Sequence, residues 1–378
     1  MSDTTTADVQ AYIGELRGRA GEAQDDAERN LDLLFTRREG GRPPREFIES
    51  SFLFIRSCDG DFGSRPVPCP AFWLSPDVRV APLADLGTPT RDLTAGATYR
   101  FSAVVRNRGD LPVPSAKVEF HLCDPTLGFD TRFATKLGVT AGRIQAHGAA
   151  EVFLDYAIPP SLSGHRCLFA RTFSFSPLDL PIDDFGLSPV VDRHVAQLNL
   201  NIAPQGSQLV LNWIHLPNAA DRLEIGPMDG RTIQQLRFES VMALELVEAE
   251  RWMEVQGRLE IEFTPGEGPA VETQRTENGI EVVSRDRDAF PLERQVQLTQ
   301  QVLEALQALE IGRGDAREFR SLVKEYRAMN AHSVRSQVTL DLPDVGLERG
   351  QAVGVDVLKR SAVTGEVTGG IGLFVTGY

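Results

Sequence analysis

From residue 72 to 202, apolar side chains recur at every second position, and that alternation narrows the folds open to this chain. In AKVEFHL, Val118, Phe120 and Leu122 point to one side while Lys117, Glu119 and His121 point to the other. YRFSAVV repeats the pattern with Tyr99, Phe101, Ala103 and Val105, and EVFLDYAI with Val152, Leu154, Tyr156 and Ile158. VAQLNLNI adds Ala196, Leu198, Leu200 and Ile202. Successive strand residues face opposite sides, so each segment buries one face and wets the other. Turns rich in Gly, Pro and Asp separate them and no helical period intervenes, which predicts an antiparallel β-sandwich.

APQGS (203–207) reads as a linker to a second β region. SQLVLNWIHL, RLEIEF, VTLDL, QAVGVDVL and GGIGLFV are its expected strands, while 241–256 fits helix or strand. Between them lies a helical pair. Val296, Leu298, Val302, Leu303, Leu306, Leu309 and Ile311 mark residues 291–311, and Phe319, Leu322, Val323, Tyr326 and Met329 mark 315–330. Pro291 suits a first turn, Gly312 a C-terminal cap and Asp315 an N-cap. The expected architecture is mainly β: two Ig-like antiparallel β-sandwiches, an N-terminal helix and an inserted αα-hairpin. The units are residues 1–45, helical; 46–203, the first sandwich; and 204–378, the second, with the hairpin at about 289–331.

The N-terminal helix rests on Val9, Ile13, Leu16, Ala20, Ala23, Ala27, Leu31 and Leu34, at steps of three and four. No basic start and apolar run precede it, and no segment reaches the ~20 apolar residues of a membrane span. A cytoplasmic protein is expected, with non-classical export as the other route. The net charge of −14 argues against phosphate-backbone binding and against anionic membrane surfaces.

FWLSPDVRV (72–80), VVRNRGDLPVPSAKVEFHLCDP (104–125), GHRCLFARTF (164–173) and VDRHVAQLNLNI (191–202) together resemble a bacterial Ig-like sandwich of the CARDB type. The resemblance lies in the Asn-x-Gly turn at Asn107–Gly109 and in Asp124–Pro125 ending a strand. It lies also in the His-x-Cys-Leu-x-Ala-Arg run from His165, and in His194-Val195-Ala196-Gln197, where Asn is more usual than His. It covers roughly residues 52–203. It implies a sandwich fold and a binding or scaffolding role, without catalytic residues.

Several stretches invite chemistry. CDGDFGSRPVPC (58–69) opens like a calcium loop with Asp59 and Asp61, but Arg65 follows and no Glu arrives at the twelfth position. Cys58 and Cys69 are expected to pair only if the protein leaves a reducing cytosol. His121 with Cys123, and His165 with Cys167, share strand faces at zinc-capable spacing, yet lack a CxxC partner. Two RGD tripeptides, at Arg108–Asp110 and Arg313–Asp315, each fall where a turn is needed. No G-x-S-x-G elbow appears, His147, His194, His215 and His332 share no spacing, and Trp73, Trp213 and Trp252 lie in or beside apolar strands. The 58–69 loop is therefore expected to be a turn-rich lead-in, with no metal and no cofactor.

The expected function is a non-enzymatic structural or protein–protein interaction component of a larger bacterial assembly. The alternatives are an exported carbohydrate-binding or adhesin module, and a hydrolase with a site built from loops. Arg313, Arg317, Arg320, Lys324 and Arg327 make the hairpin locally basic within an acidic chain, so an acidic protein surface is the expected partner, with self-association as a further possibility.

Overall fold

The computed structural model describes residues 50–67, 69, 71–90, 92–162, 164–174, 179–228, 244–247, 257–310 and 313–377, plus isolated positions 14, 233 and 255. The expected N-terminal helix lies outside the described residues except for Gly14, which is helical and exposed. The fold is mainly β, with sandwich-like sheets and a helical hairpin.

The first half forms β1 (Leu53–Phe54), β2 (Val78–Pro82), β3 (Asp92–Leu93), β4 (Thr98–Asn107), β5 (Val113–Cys123), β6 (Thr126–Leu127), β7 (Thr135–Ile144), β8 (Ala149–Ala157), β9 (Gly164–His165), β10 (Cys167–Phe173) and β11 (Val195–Leu198). The second half forms β12 (Leu200–Pro204), β13 (Gln208–His215), β14 (Ala220–Pro227), β15 (Glu245–Leu246), β16 (Glu260–Thr264), β17 (Ala270–Thr276) and β18 (Gly279–Arg285). Helices α1 (Leu292–Glu310) and α2 (Ala316–Asn330) follow, then β19 (Val334–Asp341), β20 (Gln351–Ser361) and β21 (Val367–Thr376).

In the first sandwich, β4 carries β1 and β2 on one edge and β8 on the other, facing a sheet ordered β11-β10-β5-β7. The alternating residues do what their period requires: Phe101, Ala103, Val105, Val118, Phe120 and Leu122 are all buried in one core. The sheet containing β5 and β10 is buried on its other face as well, because residues 129–134 and 181–194 lie across it. Every described residue of β10 and β11 is buried.

The second sandwich pairs a sheet ordered β12-β21-β20-β14-β18-β17 with one ordered β16-β19-β13-β6. Leu211, Trp213, Val338 and Leu340 from one sheet meet Leu223, Val355, Val357 and Leu373 from the other. β6 comes from the first half of the chain, yet it pairs in parallel with β13 through Thr126–Asn212 and Leu127–Trp213.

Residues 203–207 are not the loose linker their composition suggests. β12 runs parallel to β21, and the buried Gln205 side chain donates to Leu347 O at 2.9 Å and accepts from Val345 N and Leu347 N. The single strand expected at 195–202 is split at Asn199, which leaves the first sandwich's sheet and enters the second's. The helices fall at the expected positions, with Asp315 capping α2 by accepting from Arg317 N at 2.7 Å.

Candidate binding site

The hairpin interrupts the second sandwich between β18 and β19 but packs on the first. Leu298, Val302 and Leu306 of α1 and Val323, Tyr326 and Met329 of α2 share a cluster with Ile182 and Val191. Polar ties reinforce it. Arg132 donates to Ala331 O at 2.7 Å and to Ser333 O at 3.1 Å, placing a cation at the C-terminal end of α2, where the helix dipole favours one. Asp130 holds that guanidinium at 2.6 Å.

A cleft of about 530 Å³ opens where the two sandwiches and the hairpin meet. Leu187, Val190, Ile214, Leu216, Val296 and Leu303 give it an apolar lining. Two of the charges in its wall, Lys359 and Asp221, pair with each other. Lys359 Nζ donates to Ile214 O at 2.7 Å and meets Asp221 at 3.2 Å. His215, also in the wall, lies 3.0 Å from Ser336 Oγ through Nε2 and 3.2 Å from Leu216 O through Nδ1. Burial, with the Lys359 charge behind it, pushes His215 down to about 4, so its imidazole is neutral near pH 7.

A Ser–His contact of that length is the first geometric requirement for a nucleophile and its base. Here Ser336 is 2% exposed and accepts from Gly266 N at 3.1 Å, behind the imidazole and away from the residues that line the cleft. A substrate in the cleft would meet the ring before the hydroxyl, so the pair fits a structural hydrogen bond better than acyl chemistry.

The five basic candidates of the hairpin do not act alike. Arg313, Arg317 and Lys324 are exposed and Arg320 is half-buried, with its Nε donating to Ala316 O at 3.2 Å. Arg327 turns inward, contrary to the expectation of a partner-facing charge. It donates to Ile182 O at 2.5 Å and to Pro181 O at 3.1 Å, and burial lowers its pKa. One helical step of three carries the stripe from the surface into the seam between hairpin and sandwich.

Cys58 and Cys69 form a disulfide with their Cα atoms 6.4 Å apart. Inside the loop, Asp61 is buried and spends its oxygens on Ser57 N at 2.9 Å, Gly63 N at 2.8 Å and Arg65 at 3.1 Å, while Asp59 meets Arg56 at 3.2 Å. Among the described residues, no group of three or more metal-ligating side chains converges. Cys123 and Cys167 lie directly opposite each other on β5 and β10 as buried free thiols, and burial with the neighbouring sulfur raises Cys123 well above its ordinary value. The side chain of His165 lies outside the described residues.

The first RGD is a turn built around Asn107, whose Oδ1 accepts from Phe52 N and Gly109 N and whose Nδ2 donates to Leu111 O at 2.7 Å. A Cβ at Gly109 would stand 2.2 Å from Ser50 O. The second RGD is the break between the helices. Trp73 and Trp213 are core residues, and Trp252 lies outside the described residues.

Two buried ionic groups were not anticipated. Glu119, on β5, meets Arg171 on β10 at 2.5 Å and Lys136 on β7 at 2.8 Å. Burial alone would raise its carboxyl, but Arg171 holds it well below the usual carboxylate range. Asp192 accepts from His194 Nδ1 at 2.7 Å and from Ile182 N at 2.6 Å, and these partners outweigh burial to bring it to about 2. Asp179 lies 3.8 Å beyond His194 Nε2 and accepts from Leu53 N at 2.7 Å. The only sequence signal was polar residues alternating with core residues, which a wetted sheet face shares.

Comparison with protein-family models finds no match to this chain, and comparison with curated proteins finds none at a significant level.

Proposed function

We propose that this protein is a non-enzymatic interaction component, a pair of Ig-like sandwiches of CARDB type that presents the outer face of its helical hairpin to an acidic protein partner. One observation carries this reading. α2 buries Val323, Tyr326 and Met329 while Arg317 and Lys324 stay exposed on its other flank, beside exposed Arg313. The face is held on a firm base by Arg132 and Arg327, and a basic face on a chain of net charge −14 favours an acidic protein surface. The Asn107-centred turn supports the Ig-like part of the reading.

Charge reversal tests it. Partners recovered with the native chain should be lost with the Arg317→Glu/Arg320→Glu variant, and binding of the native chain should weaken as salt rises. Undiminished, salt-insensitive binding would overturn the assignment. Self-association through the same face would appear in sedimentation as a mass that falls in the reversed variant.

A second reading, of export to an oxidising compartment, is favoured by the Cys58–Cys69 disulfide. It keeps the protein-binding role. Sugar binding has less support, because Trp73 and Trp213 are buried and offer no stacking platform.

A further inference from the structure

We propose that the Cys58–Cys69 disulfide is a thiol-exchange site that fastens the helical hairpin to the first sandwich, so that a dithiol reductant loosens the hairpin end of the cleft. The two sulfurs are unequal in access. Cys58 is 1% exposed, whereas Cys69 is half-buried at the surface end of the loop. Cys69 is the more exposed of the two residues, so attack is assigned to its sulfur.

What the loop holds is the hairpin. Gln307 of α1 donates through Nε2 to Arg65 O at 2.7 Å, and the next residue, Pro66, lines the cleft. The opposite end of α1 is tied elsewhere, through Gln295 to Pro217 O at 2.5 Å and to Phe290 O at 2.9 Å. Opening the loop therefore bears on one end of the helix and leaves the other in place.

The loop also holds Arg65 where water would compete for it. The residue is 1% exposed, and its Nη1 reaches Asp61 and Ser64 O, while Nε and Nη2 have no hydrogen-bond partner among the described residues. Burying unpaired guanidinium nitrogens is costly, so a loop freed at one end gains by carrying Arg65 toward solvent. The carbonyl that accepts from Gln307 moves with it.

In the exchange, a thiolate of the dithiol attacks Cys69 Sγ and the Cys58–Cys69 bond breaks. Cys58 leaves as a thiolate and takes a proton from water. The second thiol of the reagent then attacks the mixed disulfide, releasing Cys69, and the reagent departs as a cyclic disulfide. Two electrons and two protons enter the protein. Cys123 and Cys167, already free and buried, take no part.

The test is hydrogen exchange on the folded protein with and without dithiothreitol, with alkylation and mass measurement counting accessible thiols. Reduction should add two alkylated cysteines and speed exchange across 302–310 by about fivefold, the worth of roughly one net hydrogen bond. Residues 292–298 and the β13–β19 pair should be unchanged. Gln307→Leu, with the disulfide intact, should reproduce the effect at 302–310. The proposal fails if the bond resists dithiothreitol in the folded state, if reduction leaves the hairpin's exchange unaltered, or if exchange rises evenly through both sandwiches. The Cys58→Ser/Cys69→Ser variant gives the same readout without reductant, and the reduced native chain suffices if that variant does not fold. Partner binding is not the readout, so the outcome is independent of the function proposed above.

Discussion

Asn199 Nδ2 donates to the Gly370 carbonyl at 2.8 Å, joining the end of one sandwich to the last strand of the other. The same amide donates to Thr126 O at 2.8 Å, its backbone N donates to Trp73 O at 2.8 Å, and its backbone O accepts from Gly372 N at 3.0 Å. The residue is fully buried. Asn199→Leu would strip two carbonyls of their donor where water cannot replace it, at about 2–4 kcal/mol. Because the joint belongs to both sandwiches, urea unfolding of the native chain should be one cooperative transition. The variant should unfold earlier, or separate into two transitions. An unchanged midpoint would show that the joint contributes nothing.

Gly370 serves the same joint by being small. A Cβ there would lie 2.3 Å from the Trp73 ring, which is 2% exposed and has little room to retreat. Gly370→Ala should therefore cost roughly 1–3 kcal/mol by overpacking, with a shift in tryptophan fluorescence of the folded state. Native stability and an unshifted spectrum would mean that the indole moves freely.

Which parts of this were legible follows from what alternation can report. A period of two tells which residues share a face, and Phe101, Val105, Phe120 and Leu122 lie in the core as their spacing demands. It does not tell whether the other face is wet. Glu119 and His121 look like surface residues in sequence, yet Arg171 and Lys136 close on the carboxylate and the Phe129 ring stands against the imidazole. No local pattern encodes a cover supplied by other strands and loops. The hairpin's limits were readable from Pro291, Asp315 and the helical apolar spacing, but its seat on the first sandwich depends on Ile182 and Val191, which show no period of their own. The reading of Arg327 as a docking charge failed for the same reason: helical spacing gives a direction around α2, and only the fold says what stands there.

The Glu119–Arg171 pair should be a sharp stability determinant. Arg171→Met removes the nearest cation from a carboxylate that is fully buried, leaving Lys136 at 2.8 Å and the His121 ring at 3.7 Å among the described residues. Breaking a buried pair by removing one partner costs about 3–5 kcal/mol, whereas replacing both partners together costs much less. Thermal melts of Arg171→Met, Glu119→Gln and the double variant should show that non-additivity. Additive losses would place the pair's contribution in packing.

His215 sets a pH dependence whose sign is fixed. Its folded-state value of about 4 lies below the ordinary 6.5, so the unfolded chain binds the proton first as pH falls. The stability is full above pH ~6.5 and is lost as pH drops toward ~4, by up to roughly 3 kcal/mol. His121, which burial also lowers, acts in the same direction. Urea midpoints between pH 4 and 8 should therefore fall on the acid side, and His215→Gln should flatten part of that slope. Parallel curves for native and variant would remove His215 as the cause.

Arg327 and Arg317 should part company when changed singly. Both lie on α2 and both are positive, yet Arg327 spends its guanidinium on the carbonyls of Ile182 and Pro181, while Arg317 is exposed near the helix N-terminus. Arg327→Met keeps the apolar stem and removes a donor from each of two carbonyls of the first sandwich. A cost of about 2–3 kcal/mol is expected, with faster hydrogen exchange through 181–191. Arg317→Glu places a negative charge in the first turn, where the helix dipole favours it, so stability should stay within about 0.5 kcal/mol. Partner binding should respond in the opposite order, falling with Arg317→Glu and holding with Arg327→Met at temperatures where that variant is folded. If Arg327→Met were as stable as the native chain, its inward hydrogen bonds would not hold the hairpin. If Arg317→Glu unfolded the protein, the outer face of α2 would belong to the core rather than to a partner.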